Sequence, residues 1–434
     1  MLESVIKDIQ SVVWGPWLVF LLLGVGVIYT FSLRFIQVRE LFKAFRYTFR
    51  APEGEGDISH YKALTTAISA TVGVGNIAGV ATAIASGGPG AVFWMWMTGF
   101  FGAATKYSEA VLAVRYRIKT ERGMSGGPMF YISRGLGFRR LAIVFSICCA
   151  IAAFGIGNLV QSNTAAEAIS HFGISKQTTG LIMTILTSAA ILGGIKSIGA
   201  ATFFISPFMI FFYTIFAIYV IFINIESLPS AFLSILKGAF SPISFSGGIS
   251  GSVVKYYVDN AIRFGVARGI FSNEAGLGSS PIAAAAARTH NPKTQALVSM
   301  TQVYIDSLFV NTLTALSIVS TNSFLYPKTG VALTSFAFST VLGNLGSFVV
   351  SISVSMFAFS TILGWSYYGE KAVEFLLGKE KIIFYRILWI VSVFIGAVSH
   401  LETLWNMSDI MNALMAVPNI IALLLLVKIV KKNS

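Results

Sequence analysis

Between residues 63 and 86 the chain carries no charge, and the middle of this run, residues 69–80, reads Ser-Ala-Thr-Val-Gly-Val-Gly-Asn-Ile-Ala-Gly-Val. A stretch of that length and apolarity is a membrane-span pattern. Its centre is nevertheless a poor helix. Gly73, Gly75 and Gly79 each cost about 1 kcal/mol relative to alanine, and Asn76 adds an amide. Backbone groups released by a broken helix cannot face lipid, so the break must be enclosed by protein. Carbonyls and N–H groups held at that depth suit a cation and a carboxylate. The expectation is an ion-coupled solute carrier.

The rest of the chain fits that setting. Of 434 residues only 11% are charged and 55% are hydrophobic, against about 25% charged in soluble proteins. An ordinary soluble domain is excluded, and residues 1–434 read as a single all-α polytopic bundle in a lipid bilayer. Apolar runs occupy residues 12–33, 63–86, 91–114, 141–166, 178–195, 198–225, 262–287, 294–323, 345–368, 382–399 and 404–427, giving eleven predicted transmembrane helices. Glu3, Lys7 and Asp8 precede the first run; this is no basic signal-peptide start, so the first span is expected to remain. Alternate loops hold 23 Lys and Arg against 7 in the others, Lys106 within a span completing the 31. That bias predicts a cell-membrane protein with its N-terminus outside and its C-terminus cytoplasmic, and it explains the net charge of +13 as topology rather than a nucleic-acid footprint.

Setting the leading helix at 12–33 aside leaves residues 63–225 and 262–427, five predicted spans each, entering from opposite sides. The first span of the second half carries its own break signal, Phe271-Ser272-Asn273-Glu274-Ala275-Gly276-Leu277-Gly278-Ser279-Ser280-Pro281. Two discontinuous helices in corresponding positions of inverted halves point to a midplane binding site. The long outer loops 226–261 and 322–344 hold amphipathic pieces at 231–239 and 334–342, predicted as short helices over the outer face that act as connectors or gates.

Nothing reads as catalytic. His60, His171, His290 and His400 fall at span ends or in loops, and the cysteines and carboxylates lack metal-site spacing. Cys148 and Cys149 are adjacent and are expected to pack in the core, since a disulfide there would be strained. The glycines of residues 73–79 follow no strand, which rules out a dinucleotide fingerprint. No enzyme and no cofactor are expected, and the sequence fixes no oligomeric state.

The polar residues inside spans are the site candidates. Asn76 offers a carbonyl oxygen to a cation and an NH2 group to a carboxylate; the competing reading is a small-residue helix contact through Gly75 and Gly79. Gln161 is a second amide in an apolar run. Thr361 and Trp365 lie four residues apart on one helix face, a hydroxyl one turn from a large aromatic. Intramembrane charges cost about 2.5–3.5 kcal/mol on insertion scales, so Lys106 and Glu109, three apart, are expected to pair with each other. Glu274 and Asp306 are candidates for a cation ligand, a proton carrier or a counter-charge.

Residues 87–102, Gly-Gly-Pro-Gly-Ala-Val-Phe-Trp-Met-Trp-Met-Thr-Gly-Phe-Phe-Gly, resemble the signature of the alanine or glycine:cation symporter family, the sodium:alanine symporters. Residues 70–81 and 272–279 resemble that family as well, and the likeness runs over nearly the whole chain. It implies sodium-driven uptake of alanine or glycine within the LeuT fold, the five-plus-five arrangement with a leading helix. Carried over position by position, it implies that Gly75 and Asn76 meet the amino acid's carboxylate and amine, with Gln161, Thr361, Trp365 and an aromatic lid, Phe271, completing the pocket. It further implies one sodium ion near the Thr71 carbonyl, the Asn76 side chain and Ser272. A second would use the carbonyls of Ser69 and Val72, with ligands on the eighth core helix not assigned. Val74 departs from a threonine common in relatives, so a hydroxyl ligand is absent there. The rival expectations are a proton-coupled or differently selective carrier of the same fold, and, from another class, a channel or membrane sensor.

Overall fold

The structure is a computed structural model that describes residues 2–51, 53–121, 123–240, 251–399 and 402–434. His400 and residues 241–250 of the first long outer loop lie outside the described residues. In chain order the principal helices are α1 (Leu2–Val13), α2 (Pro16–Ser32), α3 (His60–Thr71), α4 (Val80–Gly87), α5 (Gly90–Arg115), α6 (Arg139–Phe154), α7 (Val160–Ser170), α8 (Lys176–Ile191), α9 (Gly194–Ile223), α10 (Leu228–Phe240), α11 (Gly251–Asn273), α12 (Pro281–Ala285), α13 (Pro292–Val303), α14 (Asn311–Ser320), α15 (Gly330–Leu342), α16 (Asn344–Leu377), α17 (Ile382–Val398) and α18 (Glu402–Leu425). A two-stranded hairpin, Ile118–Thr120 with Gly123–Ser125, links α5 to α6.

Among the described residues, six helical stretches are long and apolar enough to cross a bilayer, and α3 with residues 75–87 makes a seventh, bent by 52°. The other predicted spans also fold as helices, each for a reason below that standard. α2 and α8 are 17 and 16 residues long, α5 carries Lys106 and Glu109, and α11 carries Asp259, Arg263 and Arg268. The chain is a helical, multi-pass membrane protein.

Both breaks have local causes. After α3 the backbone leaves the helix at Val72 (ψ 90°) and resumes as a π-turn over Gly75–Gly79. The Gly73 N–H freed there donates to Asn76 Oδ1 at 2.9 Å. In the second break Glu274 adopts φ +57°, Gly276 +86° and Gly278 +85°. A Cβ on Gly276 would meet Leu22 at 2.5 Å and one on Gly278 would meet Pro128 at 2.6 Å, so the tight turn needs glycine twice. Pro281 then restarts the helix at its first position.

α5 is the central post, packed on α2, α11 and α13, while α3 packs on α9 and α16. Two further π-turns, Gly155–Leu159 between α6 and α7 and Tyr304–Val310 between α13 and α14, lie where these helices approach the breaks. The amphipathic pieces of the outer loops are α10 and α15. Thr334 of α15 donates to the Ile77 carbonyl at 3.1 Å, so this helix rests on the first break. Cys148 and Cys149 are free and buried, as core packing requires.

Candidate functional site

A small cavity opens between the two breaks, lined by Ala70, Thr71, Gly73, Gly75, Ile156, Gln161, Phe271, Glu274, Thr361, Trp365 and Asn412. Its volume is about 20 Å³, room for roughly one water. Gly75, Gln161, Phe271, Thr361 and Trp365 therefore meet at one place, brought there from three helices and the first break. Gln161 reaches the break directly: its Oε1 accepts from Val74 N–H at 3.4 Å while its Nε2 donates to the Ile156 carbonyl at 3.0 Å. The approach is close enough that a Cβ on Gly73 would collide with Thr361 Oγ1, and one on Gly157 with Trp365. Thr361 Oγ1 donates within its own helix to Phe357 O at 2.9 Å, which leaves its lone pairs for a ligand.

Asn76 sits beside the cavity rather than on its wall. Its Nδ2 donates to Asp306 Oδ1 (2.6 Å), Asn311 Oδ1 (2.8 Å) and Ser272 Oγ (3.1 Å). Asp306 also accepts from Ser272 Oγ at 2.9 and 3.0 Å and from Ser307 Oγ at 2.8 Å. Three oxygen-bearing side chains from three elements thus converge on one amide, and all are buried. Half a turn about the Cβ–Cγ bond would exchange Nδ2 for Oδ1 and make the set entirely oxygen, the donor chemistry of a hard cation.

A second oxygen set lies on the other side of the first break. Ser360 Oγ is 3.3 Å from the Ser69 carbonyl, 3.5 Å from that of Val72 and 2.9 Å from that of Phe357. Ser69 and Val72 were expected to face a cation with partners unassigned on the eighth core helix; α16 supplies Ser360 and the Phe357 carbonyl. Both sets offer oxygen ligands alone, which suits a hard cation.

One expectation is overturned. Lys106 and Glu109 form no ion pair with each other. Lys106 Nζ donates to the Glu274 carbonyl at 3.0 Å and to Ser280 Oγ; Glu109 Oε1 accepts from Asn419 Nδ2 at 2.6 Å, and that amide also donates to the Gly276 carbonyl at 2.9 Å. The second break offers bare backbone at that depth, and the two charges are used to hold it.

The cavity is closed on both sides. On one side, Phe271 separates it from a pocket lined by Gln10, Trp14, Arg263, Arg268 and Asp409, Phe271 touching both spaces. On the opposite side, Ile58 pairs with Ala287 as an isolated β-bridge. Arg117 donates there to the carbonyls of Glu55 (2.8 Å), Ala285 (2.9 Å), Ala287 (2.6 Å) and Thr289 (2.7 Å).

Two interrupted helices enclosing a buried cavity, with oxygen clusters at its edge, define a helical membrane carrier of the LeuT type. The transporter MhsT, solved with L-phenylalanine, has this fold: the superposition covers 86% of this chain and 89% of that one with a TM-score of 0.60 at 13% identity. A manganese transporter from Eremococcus coleocola superposes with a TM-score of 0.52 at 16% identity, over 87% of this chain and 82% of that one. The chain belongs to the sodium:alanine symporter family, which it matches over residues 1–434. It is 47% identical to the sodium/alanine symporter AgcS of Methanococcus maripaludis over 99% of this chain and 96% of that one. It is 37% identical to two Bacillus subtilis proteins, a probable sodium/glutamine symporter, GlnT (99% and 89% covered), and a putative sodium/proton-dependent alanine carrier, YrbD (98% and 90% covered). The protein is a cation-coupled amino-acid symporter and not an enzyme.

Sequence reasoning missed Asn311, Ser360 and Asn412. Asn412 carried the same signal as Gln161, an amide inside an apolar run; Asn311 and Ser360 carried none that a regular helix would reveal.

Proposed function

We propose that this symporter couples sodium to the inward transport of a small neutral amino acid, alanine or glycine, in the cell membrane, with its N-terminus outside and its C-terminus cytoplasmic. The observation that carries the reading is the small cavity walled by Trp365, Phe271 and Ile156, next to two oxygen sets on either side of the first break. A wall of that size favours a methyl or hydrogen side chain over a longer one. The substrate's carboxylate lies against the N–H groups bared at Gly75 and against the cation held by Asn76, Ser272 and the Thr71 carbonyl, offsetting the ion's charge in a low-dielectric site. Each ligand thereby improves the other's site, and the coupling is reciprocal. The second ion, held by Ser69, Val72 and Ser360, ties α3 to α16. Phe271 moves aside for loading from outside; release inward requires the Ile58–Ala287 pairing and the Arg117 contacts to part.

A proton-coupled carrier is the second reading, favoured by one observation: Glu274, a carboxylate, lines the cavity itself. Labelled alanine uptake into proteoliposomes, under an inward sodium gradient against a matched choline gradient, separates the two. Accumulation that needs sodium and competes with glycine supports the proposal. Accumulation driven by a proton gradient without sodium moves the coupling to Glu274 or Asp306.

A further inference from the structure

The helix α18 brings an unpaired acceptor to the central cavity. Asn412 is 1% exposed, it lines the cavity with Gln161, Glu274, Thr361 and Trp365, and its Oδ1 has no hydrogen-bond partner. The neighbouring polar groups are engaged: Gln161 bonds Val74 and Ile156, Thr361 bonds Phe357, and Glu274 accepts from Ser279. One turn before Asn412, Asp409 fixes α18 to α1, accepting from Gln10 Nε2 at 2.8 Å on its carboxylate and from Trp14 Nε1 at 3.0 Å on its carbonyl. Asn412 is therefore held in place from outside the cavity while its own amide oxygen is left open. Buried acceptors are almost always satisfied, so the missing donor belongs to whatever fills the cavity.

An amino acid offers one rich donor, its ammonium, with three N–H groups. In the reading above the carboxylate end lies at the first break, which leaves the ammonium for the remaining acceptors, the Glu274 carboxylate, the Thr361 hydroxyl and Asn412 Oδ1. We infer that Asn412 is a substrate-binding residue that accepts a hydrogen bond from the substrate's ammonium and so selects for a primary amine. The inference rests on the amino-acid carrier reading and not on the choice between alanine and glycine.

The test uses the purified full chain in sodium, comparing wild type with Asn412→Leu, which keeps the branched shape and removes the acceptor. Because an unsatisfied buried oxygen is lost, the ligand-free thermal midpoint of the variant stays level or rises. The alanine concentration giving half the thermal shift increases roughly tenfold or more. Wild type favours glycine over N-methylglycine and N,N-dimethylglycine, and the variant flattens that series. A merely structural Asn412 gives the opposite pair, a lower midpoint with half-saturation within about twofold of wild type, and overturns the inference. If the variant does not fold, the methylation series on wild type decides: N,N-dimethylglycine bound as tightly as glycine refutes it. A wild type indifferent to alanine and glycine sinks the substrate choice alone, and the same comparison then runs with the α-amino acid that shifts wild type most.

Discussion

Replacing Ser360 by alanine should separate sodium binding from substrate binding. The side chain is fully buried, and its hydroxyl already donates within its own helix to Phe357 O at 2.9 Å. Its loss removes one neutral hydrogen bond, about 1 kcal/mol, and leaves no charge stranded. A methyl group fits the space without strain, so the ligand-free protein should unfold near the wild-type temperature. With a cation present the account changes. Ser360 Oγ lies within 3.5 Å of the Ser69 and Val72 carbonyls, and a ligand contact to a charge is worth about 1.5–3 kcal/mol. Sodium half-saturation should therefore rise roughly 10- to 100-fold.

Ser360 does not line the cavity proposed for the substrate, so at saturating sodium the half-saturation for alanine should stay within about twofold of wild type, the effect of sodium on alanine having been saturated out. Proteoliposome uptake measured against sodium at fixed alanine, and against alanine at high sodium, reads both quantities. Unmoved sodium half-saturation would remove Ser360 from the ion site. An equal rise in alanine half-saturation at saturating sodium would mean that the substitution had distorted the first break instead.

Asn76→Ala should weaken sodium and alanine together, because the amide joins Asp306, Asn311 and Ser272 beside the substrate cavity; alanine bound at wild-type strength in that variant would take Asn76 out of the site. Trp365→Ala should admit valine and leucine, at a stability cost of about 3–5 kcal/mol for so large a buried side chain; an unchanged order among alanine, valine and leucine in competition assays would count against the size argument. Lys106→Met should lower the thermal midpoint sharply and abolish uptake, since breaking a buried charge network costs about 3–5 kcal/mol; wild-type midpoint and uptake would show that the second break does not depend on it.

The breaks were legible because their cause is local. Glycine density at residues 73–79 and the glycines with Pro281 at 276–281 cannot be read as ordinary span interiors. The partners of the breaks were less legible because they are set by tertiary geometry. Asp306 and Asn311 are five residues apart, which in a regular helix puts them about 140° apart around the axis. The π-turn over Tyr304–Val310 brings residues five apart back toward one face, and both side chains reach Asn76. Ser360 is one serine among many. The Lys106–Glu109 pairing failed for a related reason. Helix spacing names the nearest partner, but the carbonyls bared at the second break are buried with Lys106 and need a donor.

The two breaks are held by different chemistry, and this divides their roles. The first is held by neutral groups: the Asn76 side chain on Gly73, Gln161 on Val74, Thr334 on Ile77 and Ser360 beside Ser69 and Val72. Such contacts are each worth about 1 kcal/mol and can be exchanged for ligand contacts at little net cost. The second is held by ions, Lys106 directly and Glu109 through Asn419, and contacts of that kind are about twice as strong. Rearrangement therefore belongs to the first break, with α12 kept on α5. The charges point the same way. In their ionised forms Lys106 faces the three carboxylates of Glu109, Glu274 and Asp306, all buried, so the centre is short of positive charge. A zwitterionic substrate brings no net charge to that deficit, whereas a monovalent cation does. With those groups ionised, the centre favours a coupled cation whichever residues hold it.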